Sequence, residues 1–151
     1  MEAIKIEDAS IRLLDELYQI EKQCFNQEAF SKQEIAYLLT DYNSISYLAR
    51  INDQIAGFII GRIDIERDQL FGHIITIEVK TEYRRKMVAQ KLLEEIEKTI
   101  KNKGVKECRL EVREDNTTAI KLYQKLGYKK IAKLENYYSN THGLYLRKKL
   151  I

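Results

Sequence analysis

Four basic residues, Lys80, Arg84, Arg85 and Lys86, stand where an apolar strand pattern ends and an amphipathic helix begins. The first N–H groups of a helix have no partner within it, and its dipole favours negative charge there, so such a start can hold an anion. A solvated basic helix start would look the same. Downstream, Glu111 lies on the polar side of an alternating strand with Glu107, Arg109 and Arg113, and Tyr123 lies in a helical pattern with Ile120 and Leu126. A carboxylate can take a proton and a phenol can give one. By residue type alone, they also read as a surface glutamate and a half-buried core tyrosine. His73 opens a strand, where a histidine is commonly structural. Neither Cys24 nor Cys108 has a histidine or cation beside it in sequence to activate a thiolate.

The elements that must position these residues can be read from periodicity. Ala3–Glu7 alternates as a short strand, and Ser10–Cys24 carries apolar residues at helical spacing. Ser31 and Glu34 form a capping-box pattern at the start of a second helix. Ser46–Ile51 and Ile55–Ile65 predict a hairpin turning at Asn52–Asp53, and Phe71–Val79 predicts the next strand. A helix is expected from about Arg84 to Lys101, with Val88, Leu92, Ile96 and Ile100 on one face and Gly104 ending it. Val105–Arg113 alternates, with Cys108, Leu110 and Val112 on one side. Asn116 is placed to cap a helix Thr117–Leu126 that Gly127 ends, and strands Tyr128–Leu134 and Gly143–Leu150 follow. Hairpins first and a strand–helix–strand unit later imply an α/β (α+β) chain with a mixed sheet and helices on its faces.

Composition sets the outer bounds. The 151 residues suit one domain, 1–151, and the net charge of +3, with both signs mixed, argues against a nucleic-acid binder. No apolar run approaches the roughly 18 residues of a membrane span, and the charged N-terminus lacks the apolar stretch of a signal peptide. The two cysteines have neither disulfide nor zinc spacing, so no metal is expected and the compartment reads as reducing, hence cytoplasmic. The sequence carries no signal of oligomeric state.

Three blocks in order, YRRKMVAQKLL, LEVREDNTTAIKLYQKLGYKK and ENYY, together with CFNQEAFS in the first half, resemble the GNAT (GCN5-related) N-acetyltransferases. The likeness is closest to protein N-terminal acetyltransferases of the ribosomal-protein alanine and archaeal types. It implies the GNAT fold, a mixed, mostly antiparallel sheet of about six to seven strands with helices on both faces. It also implies an acetyl-CoA-dependent transferase acting on the free α-amine of a protein or peptide. The family's pyrophosphate loop corresponds here to Arg84, Arg85, Lys86, Met87, Val88 and Ala89, followed by Gln90, with Met87 where the family carries its first glycine. If that position is left-handed, a side chain there costs roughly 1–2 kcal/mol.

By the same resemblance, the backbone of Ile77, Glu78 and Val79 should hold the acetyl and pantetheine part, and Asn116 should bond the pantetheine arm. Glu111 should be the general base, through a water, and Tyr123 the general acid. Tyr137 and Tyr138 should line the peptide groove, with Phe25 and His73 beside it. In place of the family's frequent acidic pair before the last strand stands Thr141-His142-Gly143. A lysine side chain or a small amine as acceptor, or an acyl-CoA binder without turnover, are the alternatives.

Overall fold

The computed structural model describes residues 3–25 and 28–151. Asn26 and Gln27, inside the CFNQEAFS block, lie outside the described residues. In chain order the elements are β1 (Lys5–Asp8), α1 (Leu14–Phe25), α2 (Lys32–Thr40), β2 (Ser44–Ile51), β3 (Gln54–Glu66), β4 (Gln69–Val79), α3 (Val88–Asn102), β5 (Glu107–Arg113), α4 (Thr117–Lys125), β6 (Lys129–Leu134) and β7 (Gly143–Lys149). Seven strands form one sheet in the order β1-β2-β3-β4-β5-β7-β6, antiparallel throughout except where β4 meets β5. This is the mixed α/β architecture that the sequence implies.

The hairpins follow from their turns. Asn52 and Asp53 both have positive φ, which matches the right-handed twist of the strands they join. Arg67 and Asp68 repeat that geometry between β3 and β4, extending the hairpin beyond the strand ends expected from alternation. On one face, α1 and α2 bury Leu17, Ile20, Ile35 and Leu38 against Leu48, Phe58 and Ile60. On the other, α3 buries Leu92, Leu93, Ile96 and Ile100 against Ile59, Ile74, Cys108, Leu110 and Leu146. Helices therefore cover both faces. Gly104 and Gly127 follow α3 and α4 at φ of +82° and +103°, in the cap positions predicted for them.

Two helix starts differ from expectation. A short 3-10 turn over Ile11–Leu13, capped by Ser10, precedes α1, so the α-helix begins at Leu14. More consequentially, α3 begins at Val88, four residues after the expected start at Arg84. Arg85 and Met87 both adopt positive φ, which no α-helix accommodates, so the basic residues form a loop ahead of the helix.

Two irregularities shape β4. Gly61 pairs with Ile74 and Ile60 with Thr76, leaving Ile75 as an extra residue, a β-bulge. On the other side, β4 pairs with β5 only at Gly72↔Cys108 and His73↔Arg109. Beyond those pairs the two parallel strands part, and the sheet opens in its middle.

Candidate active site

The gap between β4 and β5 is the apex of a cleft of about 880 Å³. From the α1–α2 side it is lined by Glu21, Phe25, Glu28 and Phe30, and from the α4 side by Asn116, Ala119 and Tyr123. His73, Thr76 and Ile77 of β4, Glu111 and Arg113 of β5, and Tyr137 and Tyr138 complete the wall. Of the expected residues, the cleft thus brings together Glu111, Tyr123, Asn116, Ile77, Phe25, His73 and the tyrosine pair.

Glu111 and His73 come from the two strands at the point where they separate. Glu111 Oε1 accepts from His73 Nε2 at 2.8 Å, and His73 Nδ1 lies 3.7 Å from Asp64 Oδ2. Asp64 is in turn gripped by Arg62, whose Nε and Nη2 donate to its two oxygens at 2.8 and 3.3 Å. Cross-strand register explains the chain: Arg62 is the β3 partner of His73. Sequence reading gave His73 a secondary place, because nothing local ties residue 73 to residue 111. Asp64 and Arg62 were missed altogether, since only the β3–β4 register makes them neighbours.

Tyr123 is 7% exposed, and its ring meets Tyr128 edge-on with centroids 5.8 Å apart. Burial above all pushes its phenol above the ordinary tyrosine range, so it stays protonated at neutral pH. Tyr137 and Tyr138 pack edge to face with centroids 4.9 Å apart. Burial raises both phenols, and the charge on Glu111 adds to each. Gly143 makes their position available: a Cβ there would stand 3.1 Å from the Tyr138 ring and 3.2 Å from Tyr137. His142 shapes the same loop by accepting the Asn136 N–H on Nδ1 at 2.8 Å. The departure at Thr141-His142-Gly143 therefore builds the loop under the tyrosines. Glu28 ties that loop to the α1–α2 segment by accepting from Ser139 Oγ at 3.1 Å, and Arg113, itself paired with Asp115, donates to the same Glu28 oxygen at 3.1 Å.

The start of α3 differs from those of α2 and α4. Ser31 and Glu34 close α2 with a complete capping box, and Asn116 Oδ1 accepts the Ala119 N–H at 3.2 Å to cap α4. At α3, Met87 offers no side-chain cap and the first turn carries no acid. The N–H groups of Val88, Ala89 and Gln90 thus open α3 beside Arg84, Arg85 and Lys86, an arrangement that fits a diphosphate. Met87 is left-handed at φ 68° and 52% exposed, so it takes the glycine-type conformation with its side chain outward. Arg84 bends back to donate to Val79 O at 3.3 Å. The Glu78 side chain is turned away from this edge and buried against α1.

Neither cysteine is poised as a nucleophile. Burial raises the Cys24 thiol despite the nearby Arg84, and Cys108 is pushed up to about 12. Among the described residues, no group of three or more His, Cys, Asp or Glu side chains could hold a metal ion, and no helix is long and apolar enough to cross a membrane.

The profile of the acetyltransferase (GNAT) family matches residues 14–128. An N-alpha-acetyltransferase of Saccharolobus solfataricus is 36% identical over 117 residues, covering 72% of this chain and 70% of that protein. N-alpha-acetyltransferase 30 of Schizosaccharomyces pombe is 32% identical over 114 residues, covering 75% and 76%. The crystal structure of Ard1 from Thermoplasma volcanium superposes with a TM-score of 0.88 at 25% identity, over 99% of both chains.

Proposed function

Since this chain belongs to the acetyltransferase (GNAT) family, and is thereby an acetyl-CoA-dependent N-acetyltransferase, we propose that its acceptor is the free α-amine of a protein or peptide. The observation that carries this reading is the Glu111–His73 pair at the mouth of the β4–β5 gap, in a chain whose relatives are named N-alpha-acetyltransferases.

Acetyl-CoA supplies an activated thioester carbonyl. The uncapped N–H groups of Val88, Ala89 and Gln90, with Arg84, Arg85 and Lys86, hold its diphosphate. The backbone of Ile77, which β5 does not pair and which lines the cleft, would receive the pantetheine arm, and Asn116 would reach the same arm while capping α4; the neighbouring Val79 carbonyl is held by Arg84 and Cys24. Phe25, Tyr137 and Tyr138 wall the acceptor's path from the opposite side of the sheet.

An amine attacks only when neutral, and a protein α-amine has a pKa near 8, so a base need take its proton with little driving force. Glu111 takes that proton, directly or through a water, and His73 fixes the carboxylate by donating to Oε1. The new N–C bond forms as the C–S bond breaks, and the departing thiolate takes the Tyr123 proton. Direct transfer needs no acyl-cysteine, and the burial that raises both thiols supports that reading.

Release of coenzyme A with short peptides tests the acceptor. Peptides with a free N-terminus and no lysine should turn over, and N-blocked peptides with one lysine should not. The reverse pattern would assign the enzyme to side-chain amines, and activity on small amines alone would exclude a protein acceptor.

A further inference from the structure

The wall of the cleft conceals two carboxyl groups that proton transfer at Glu111 and Tyr123 does not use. Glu21 of α1 is fully buried and Glu78 of β4 is 3% exposed. Thr76 stands between them. Its Oγ1 lies 3.0 Å from Glu21 Oε1 and also in hydrogen-bond contact with Glu78 Oε1. A hydroxyl carries one proton and donates once, so it cannot serve two carboxylates. One of the two acids must therefore bring a proton of its own.

Two further contacts say which. Glu21 Oε2 already accepts the backbone N–H of Phe30 at 3.0 Å, and a second donor from Thr76 favours its charged form. Among the described residues, Glu78 Oε2 is buried without a donor to it. An orphaned oxygen is tolerable as the carbonyl of a neutral acid and far more costly as half of an anion. The donors then run in one direction, from Glu78 to Thr76 to Glu21, where the Phe30 N–H arrives from the other end. The surroundings agree. Glu78 faces Glu21 and Cys24 of α1, Thr76 on its own strand and Tyr123 of α4, with Arg84 engaged at Cys24 and Val79 O. Burial raises both carboxyls, Glu78 the further, and their contact raises Glu78 while lowering Glu21.

We infer that Glu78 carries a proton in the native state and is a positioning residue for the acceptor, holding the α1–α2 segment against β4 through Thr76 and Glu21. That segment supplies Phe25, Glu28 and Phe30 to the cleft wall. The acceptor part of this inference rests on the proposed function, and the proton on Glu78 does not. Above the native pKa of Glu78, two anions face one hydroxyl and the chain of donors breaks. The native state binds a proton that the unfolded chain has released at neutral pH, so the stability from this cluster is full in acid and is lost as pH rises through that pKa.

Infrared spectroscopy at neutral pH should show a protonated-carboxyl C=O band that titrates away at alkaline pH, persists in E111Q and is missing in E78Q. No such band in the wild type, or its survival in E78Q, overturns the proton assignment. With the amine that turns over, T76V should raise the acceptor KM about tenfold while leaving the KM for acetyl-CoA in place, the loss expected for one charge-assisted hydrogen bond. The wild-type acceptor KM should rise at alkaline pH as the chain of donors breaks; E78Q keeps a donor toward Thr76, so it should lose much less than T76V and should not show that rise. An unchanged acceptor KM in T76V overturns the positioning role. If only lysine side chains or small amines turn over, the α-amine reading fails, while the infrared band still decides the state of Glu78.

Discussion

Glu97 and Glu111 are carboxylates on opposite sides of the same sheet, and their surroundings differ in one decisive respect. Glu97 of α3 is 8% exposed, accepts the Tyr128 hydroxyl at 2.8 Å and Lys148 Nζ at 2.6 Å, and so joins α3 to the last strands. Glu111 has one 2.8 Å contact, to His73, and borders the cleft. A satisfied buried network rigidifies the core and has no spare capacity for a substrate. A carboxylate with one fixed oxygen keeps the other for chemistry. The two carboxylates thus divide between one that completes the fold and one that the fold leaves partly open at the cleft.

Substitutions can break that division. The largest effect is expected from E111Q, which should lower kcat about 10²- to 10⁴-fold, the usual range for a general base, with acetyl-CoA binding unaltered by calorimetry. An unchanged kcat would remove Glu111 from the proton transfer. K148M should act on the other member of the pair. Leaving Glu97 with only Tyr128 should cost about 2–3 kcal/mol in denaturant unfolding, less than a fully buried pair because Lys148 is partly solvated. Its kcat should stay near wild type, and a collapse of activity in the still-folded protein would mean that the two clusters are coupled.

Y123F should lower kcat about 10²-fold, the low end of the range for a proton donor, with little change in either KM. Because burial raises the Tyr123 phenol, the wild-type rate should show no decline from its ionisation at pH about 10, where an ordinary tyrosine titrates. A fall there that Y123F abolishes would contradict the environment described. M87G should give the smallest change. Relieving the left-handed side chain should stabilise the protein by about 1 kcal/mol, read as a higher Tm, and should tighten acetyl-CoA rather than weaken it.

Much of the architecture was legible in the chain. The capping box at Ser31 and Glu34, the cap at Asn116, the glycines after α3 and α4 and the turn at Asn52–Asp53 are local devices, and local devices leave local signals. The start of α3 was misread because Arg85 and Met87 are left-handed without being glycine or asparagine, so the loop resembled a first helical turn. The resemblance of LEVREDNTTAIKLY to its family directed attention to Glu111, Asn116 and Tyr123, and all three line the cleft.

Periodicity and capping depend on neighbours within about one helical turn, so the sequence by itself determined the elements, their faces and the residue types available for chemistry. Only the tertiary structure decided their company. The splaying of β4 from β5 makes a cleft of two strands. The β3–β4 register brings Arg62 and Asp64 to His73, and the packing of α1 on β4 seats Glu21 against Thr76 and Glu78. Each of these contacts joins residues far apart in the chain or set by strand pairing, where side-chain proximity is a property of the fold and leaves no local mark in the sequence.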